Sequence, residues 1–177
     1  MGTIQTSFEK SREYTKGMIG EAIVRKELQS RGHQIMQFEK GEAHPFDMFC
    51  FNKQSARHFV AEVKTKSRMS FYNMTGICAR HFNQYCAYIN VNRIDFWLFF
   101  VDHSEGVIEA GKLQELRYMP MEKHGGSVVW DRALLTYVRD LTEQEIKSIQ
   151  EVSVAGIDLT PVRHPEAKQL YLSLTSL

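Results

Sequence analysis

Asp47, Glu62 fifteen residues later, and Lys64 two beyond that stand out for their types and spacing. The acids fall in two apolar runs, Pro45–Phe51 and Phe59–Lys66, either side of a polar turn from Asn52 to His58. Strand side chains alternate between faces, so Val60, Glu62 and Lys64 share one face while Phe59, Ala61 and Val63 take the other. A hairpin then gathers two carboxylates and an ammonium at one end. Oxygen ligands of this kind suit Mg²⁺, with Mn²⁺ as a substitute. Such an ion acidifies water and neutralises charge on a phosphoryl group. A lysine nearby adds fixed positive charge where negative charge grows. The Val63 carbonyl, between the two charged side chains, is a further candidate ligand. The chemistry is phosphodiester hydrolysis. Two other readings stand beside it. Glu62 and Lys64 can form an ordinary cross-strand ion pair on a solvated face. Asp47 and Glu62 can also act as an acid/base pair on a sugar, which Lys64 and the basic surroundings oppose.

The elements that must position these groups follow from periodicity. Residues 1–14 are polar and read as a loose lead-in. Met18, Ile19, Ala22, Ile23 and Leu28 form the buried stripe of a helix that starts at Thr15 and closes before Arg31 and Gly32. Glu21 lies beside this stripe. Gly17 and Gly20 are weak helix formers, which fits either close backbone approach near Glu21 or a mildly unstable first turn. His33–Phe38 is a first strand, and the two acid-bearing runs are the next two. After a basic, aromatic loop over 67–73, Thr75 is read as the cap of a second helix reaching about Ile89. There Ile77, Phe82, Tyr85, Cys86 and Ile89 face the core, and Arg80 and Gln84 share a polar face. Asp95–Asp102 is a strand buried on both faces. A short strand at 107–109 and a short helix at 112–117 follow. Helix, three strands, helix, strand, strand implies a mixed sheet with helices packed against it.

Beyond Pro120 the pattern changes. Residues 128–138 are strand or helix around Trp130, and Thr142 with Glu145 forms a capping box that opens another helix. Residues 171–177 alternate like a terminal strand. The chain reads as one domain over 1–177, with a core at 14–117 and a C-terminal extension at 118–177.

Charge is uneven. Residues 1–93 hold 14 Lys/Arg against 8 Asp/Glu, and residues 94–177 hold 8 against 13. The basic half suits an anionic partner. Lys53, Arg57, Lys66 and Arg68 are candidate phosphate contacts. Cys50, Cys78 and Cys86 form no paired motif and fit a reducing compartment. The longest strongly apolar run, residues 96–101, is too short to span a bilayer, and a cytoplasmic protein without membrane contact is the expectation.

The acid after a proline at the start of one strand, with Glu-x-Lys near the end of the next, resembles the PD-(D/E)XK nuclease superfamily. The likeness is strongest to Holliday-junction-resolvase-like small nucleases. The matching residues are Pro45, Phe46 and Asp47, with one residue intruding between proline and acid, and Glu62, Val63 and Lys64. Glu21 stands where divergent members carry a glutamate in the first helix, and the resemblance implies that polar residues of the helix after the motif, here Arg80 and Gln84, face the same site and contact nucleic acid. The resemblance covers roughly residues 14–110 and implies a restriction-endonuclease-like α/β core (α-β-β-β-α-β). It also implies a metal-dependent endonuclease with Asp47, Glu62 and Glu21 toward Mg²⁺ and Lys64 toward the nucleophile. The partner would be nucleic acid, DNA ahead of RNA, and the products would carry 5′-phosphates. A resolvase would require a two-fold homodimer. An inert nucleic-acid-binding module on the same fold is the alternative.

Overall fold

The computed structural model describes residues 4–37, 46–67 and 73–154. Helix α1 (Ile4–Ser30) leads into β1 (His33–Gln37), β2 (Met48–Asn52) and β3 (Arg57–Lys66). Then come β4 (Met74–Cys78), α2 (Ala79–Asn92), β5 (Asp95–Asp102), β6 (Val107–Lys112) and α3 (Leu113–Leu116). β7 (Glu122–His124), β8 (Ser127–Asp131), a 3₁₀ turn, β9 (Thr136–Asp140) and α4 (Glu143–Val154) complete the described chain.

Six strands form a mixed sheet in the order β1-β2-β3-β5-β6-β9, with β3 and β5 parallel and the other neighbours antiparallel. The sequence explains why the centre holds. In β5, Phe96, Leu98 and Phe100 point to one face and Phe99 and Val101 to the other, and all five are buried. Each such side chain contributes about 1.5–3 kcal/mol on burial. On one face α1 lays Ile19, Ile23 and Leu28 over Cys50, Ala61 and Val63. On the other, Tyr85 and Ile89 of α2 and Leu113 and Leu116 of α3 pack with Trp130. No helix among the described residues is long and apolar enough to cross a membrane.

Several boundaries differ from the sequence expectation. The first helix begins at Ile4 rather than Thr15, since no proline or glycine interrupts residues 4–16. Its end agrees, with Gly32 at φ +83°. Thr75 is not a helix cap. Residues 74–78 form β4, which pairs with β8 in a separate three-stranded sheet, β4-β8-β7. Gly76 permits that pairing, because a Cβ there would lie 2.2 Å from the Val128 carbonyl oxygen. The fifth strand of the main sheet's core sequence, β6, runs to Lys112 instead of ending at Glu109.

Residues 122–154 contribute to both sheets and to the helical layer. β9 pairs with β6, and α4 packs its Ile149 into the core beside α1. The capping box forms: Glu145 N–H donates to Thr142 Oγ1 at 3.2 Å and Thr142 N–H donates to Glu145 Oε2 at 2.9 Å. The same Glu145 carboxylate takes both Nη1 and Nη2 of Arg139 at 2.8 Å, while Arg139 Nε reaches Glu27 of α1 at 2.8 Å. One guanidinium thus ties β9, α1 and α4 together. The strand expected at 171–177 lies outside the described residues.

Candidate active site

The register Met48↔Ala61 places Asp47 one step past the last β2–β3 ladder pair. Asp47 N–H still donates to the Ala61 carbonyl at 3.1 Å, and its carboxylate Oδ2 accepts the Val63 N–H at 2.7 Å. A residue's N–H and C=O lie along the same side of a strand. The Val63 carbonyl therefore faces the β2 side, where β2 has not yet begun. Asp47 is pinned across the mouth of the hairpin with a backbone carbonyl beside it.

Glu62 is buried, only 5% exposed, on the opposite face from α1. Its Oε1 accepts from Lys64 Nζ at 2.5 Å and from the Tyr85 hydroxyl at 2.6 Å. Tyr85 reaches it because α2 crosses that face, with the tyrosine ring stacked on Phe96 at 4.9 Å. His81, one helical turn earlier, stacks on Tyr85 at 5.9 Å. The charges of Lys64 and Glu62 both act on His81.

The electrostatics identify where positive charge is wanted. Burial pushes the Asp47 carboxyl up to about 8, and the negative charges of Glu62 and Glu21 add to the effect. The Val63 N–H and Lys64 oppose it without cancelling it. Burial raises the Tyr85 hydroxyl, with Glu62 second, so the phenol keeps its proton and acts as a donor. His81 is lowered by burial first, then by Lys64 and Arg80.

Helix α1 brings Glu21 near enough for its charge to act on Asp47. The approach depends on Gly20, where a Cβ would sit 1.8 Å from Thr65 Oγ1; at Gly17 nothing lies within 4 Å. Only one of the two glycines marks a close contact.

The residues fit a divalent cation in a limited way. Among the described residues no group of three or more His, Cys, Asp and Glu side chains converges as a ready metal cage. Asp47 and Glu62 with the Val63 carbonyl offer hard oxygen donors, and the raised Asp47 carboxyl marks a deficit of positive charge. That set matches an ion that keeps several waters and takes substrate oxygens, as Mg²⁺ does. Glu21 would act on it through space or through water.

The other candidate residues are spread out. Lys66 follows on the face of Glu62 and Lys64 and donates to the Gly76 carbonyl. Arg80 is exposed at the start of α2, its Nη2 3.3 Å from His81 Nε2, and Gln84 is exposed one turn on. Lys53 and Arg57 are not brought to the site. They flank the β2–β3 turn, at the end of the hairpin away from Asp47. Four ladder steps separate the two ends, on the order of 13 Å. Pro45 and Arg68 lie outside the described residues. Tyr85 and His81 of α2 join the site, although the family resemblance implied Arg80 and Gln84. The available signal was a tyrosine inside an apolar stripe, since a buried phenol usually finds a hydrogen-bond partner.

No protein-family model matches the chain, and no curated protein does. Solved structures do match. Hjc of Archaeoglobus fulgidus, described as a Holliday junction resolvase from an archaeal hyperthermophile, is similar with a TM-score of 0.50 at 14% identity. The similarity covers 67% of this chain and 93% of that one. At that identity the likeness establishes architecture: the chain has a restriction-endonuclease-like fold, a central mixed sheet flanked by helices.

Proposed function

We propose that this protein is a metal-dependent endonuclease of the PD-(D/E)XK superfamily that hydrolyses phosphodiester bonds of nucleic acid, DNA in preference to RNA. The observation that carries the proposal is the meeting of Asp47, Glu62 and Lys64 at one end of the β2–β3 hairpin, with the Asp47 carboxyl pushed up first by burial and then by the charges of Glu62 and Glu21. Isolated surface ion pairs do not raise a carboxyl in this way. A buried acid set beside other carboxylates is raised, the pattern found at functional sites that take a cation.

Asp47 and Glu62 would hold Mg²⁺ or Mn²⁺ with the Val63 carbonyl, and Glu21 would contribute charge from α1. Bound there, the ion supplies an acidified water and offsets charge on the scissile phosphate. Asp47 is held in place by the Val63 N–H, so its free oxygen is oriented before any ligand arrives. Tyr85 and Lys64 fix one Glu62 oxygen and leave the other for the ion. Lys64 carries its charge beside the place where charge builds on the phosphoryl oxygens and orients the attacking water. Cleavage on this mechanism leaves a 5′-phosphate and a 3′-hydroxyl.

The likeness to Hjc favours one narrower reading, a resolvase that cuts branched DNA as a two-fold dimer. A panel of labelled duplex, four-way junction, flap, single-stranded DNA and RNA, incubated with Mg²⁺ or Mn²⁺, tests both readings. Metal-dependent cuts in any DNA substrate support the nuclease. Paired, symmetric cuts confined to the junction support the resolvase.

A further inference from the structure

Past Lys64, strand β3 continues to Lys66, whose side chain falls on the same face as Glu62 and Lys64. There a cleft of about 180 Å³ opens between the end of β3 and the small β4-β8-β7 sheet. Its polar lining among the described residues is Lys66, Ser67, Thr75, His124 and Ser127, and none of these described side chains is acidic. Among the described residues Lys66 has no carboxylate at ion-pair distance; its ammonium donates to the neutral Gly76 carbonyl. Burial, and then the charge of Lys64, hold that ammonium below the usual lysine range. A half-buried cation left in that state is short of negative charge.

The small sheet supplies the rest. Gly125 and Gly126 turn at φ +54° and +80°, a two-residue hairpin that sets His124 opposite Ser127. Thr75 adds a hydroxyl from β4. One ammonium, hydroxyl donors and an imidazole, with no acid among the described lining residues, are complementary to a phosphate. Lys66 also stands two strand residues from Lys64, about 7 Å. That is close to the separation of successive phosphates along one nucleic acid strand.

We propose that this cleft is a second phosphate subsite, which holds the backbone phosphate next to the one cut at Asp47 and Glu62. The subsite rests on the nuclease reading of the neighbouring site. It makes β4-β8-β7 a track for the strand being cut and gives residues 122–131 a role in gripping substrate.

The test combines binding of fluorescently labelled DNA by anisotropy in EDTA, over a salt series, with steady-state cleavage in Mg²⁺. Lys66→Met keeps the length of the side chain and removes its charge. It is expected to weaken binding about tenfold near 0.1 M salt and to reduce the slope of log K against log salt by about 0.7–0.9. The loss should appear in KM, with kcat falling less than about twofold. Ser127→Ala, a smaller change that tests the same cleft if the lysine variant folds poorly, should weaken binding about two- to fivefold. Wild-type protein that binds and cuts DNA, with Lys66→Met and Ser127→Ala binding within twofold of it on an unchanged salt slope, overturns the subsite and leaves the nuclease standing. A Lys66→Met loss confined to kcat overturns it as well. Wild-type protein that binds no nucleic acid overturns both.

Discussion

Asp47→Asn should stabilise the metal-free protein while removing its activity. In the native state the Asp47 carboxyl is pushed up to about 8, against about 3.9 for an unfolded aspartate. Between those values the native state holds a proton that the unfolded chain has released. Stability therefore falls as pH rises through the window, and the loss is complete above about 8. A difference of about 4 units corresponds to about 5.5 kcal/mol at most. Because the repulsion is shared with Glu62 and one side of Asp47 meets solvent, about half of that, 2–3 kcal/mol, should be recovered by removing this acid alone. The asparagine Oδ1 can still accept the Val63 N–H, so the hairpin mouth stays closed. For a chain of this size the gain corresponds to about 5–10 °C in Tm at pH 8. It should shrink toward zero near pH 4 and below, where the carboxyl takes up its proton in the unfolded chain as well as in the native state. Thermal unfolding of wild type and Asp47→Asn from pH 4 to 9 in EDTA measures this directly. Mg²⁺ should raise the wild-type Tm at pH 8 and leave that of Asp47→Asn nearly still. Parallel pH profiles for the two proteins, or an asparagine variant less stable at pH 8, would refute the reasoning.

Other perturbations follow from the same geometry. Tyr85→Phe removes a 2.6 Å donor to Glu62 and should weaken Mg²⁺ affinity or kcat by about 10–100-fold with little change in Tm; titration calorimetry and cleavage rates check it, and a change within twofold would mean that the hydroxyl does not orient Glu62. The two glycines of α1 should respond in opposite senses. Gly17→Ala gains up to about 1 kcal/mol from helix propensity, whereas Gly20→Ala drives a Cβ into Thr65 and should cost about 1–3 kcal/mol, relieved in part by Thr65→Ala; denaturant midpoints of the single and double variants distinguish them. Arg139→Met leaves Glu145 and Glu27 without their shared guanidinium and should cost about 2–3 kcal/mol at neutral pH. Both acids are desolvated, which raises them, but Arg139, with Arg31 at Glu27, holds them below the usual range. Their contribution is lost as pH falls through those lowered values, so the difference between wild type and Arg139→Met should narrow below about pH 4.

The parts legible in the sequence were those set by local chemistry. Gly32 ends α1, Thr142 and Glu145 cap α4, and the apolar run of β5 is buried on both faces, each from residues within one or two turns of each other. The hairpin of Asp47, Glu62 and Lys64 was legible because period-two alternation and a short turn fix its register. What escaped depends on partners distant in the chain. Met74–Cys78 has a threonine where a helix cap fits, yet its backbone groups pair with β8 (Ser127–Asp131), far along the chain. Residues 128–138 read as ambiguous because the strands they fall in are completed by β4 and β6, not by each other alone. Lys53 and Arg57 matched a phosphate-binding composition, but a hairpin has two ends and the acids occupy the other one. Tyr85 was assigned to the core, and its ring is there; the role of its hydroxyl became visible only once Glu62 was placed beneath α2.

The most direct measurement is the cleavage of end-labelled DNA substrates by wild type, Asp47→Asn and Lys64→Met in Mg²⁺ and in EDTA. Metal-dependent cleavage by the wild type, products bearing 5′-phosphates, and losses of at least about a thousandfold in both variants with folds retained are the expected result. Cleavage that persists in EDTA, or a Lys64→Met protein that cuts as fast as wild type, would contradict a metal-assisted site at the mouth of the β2–β3 hairpin.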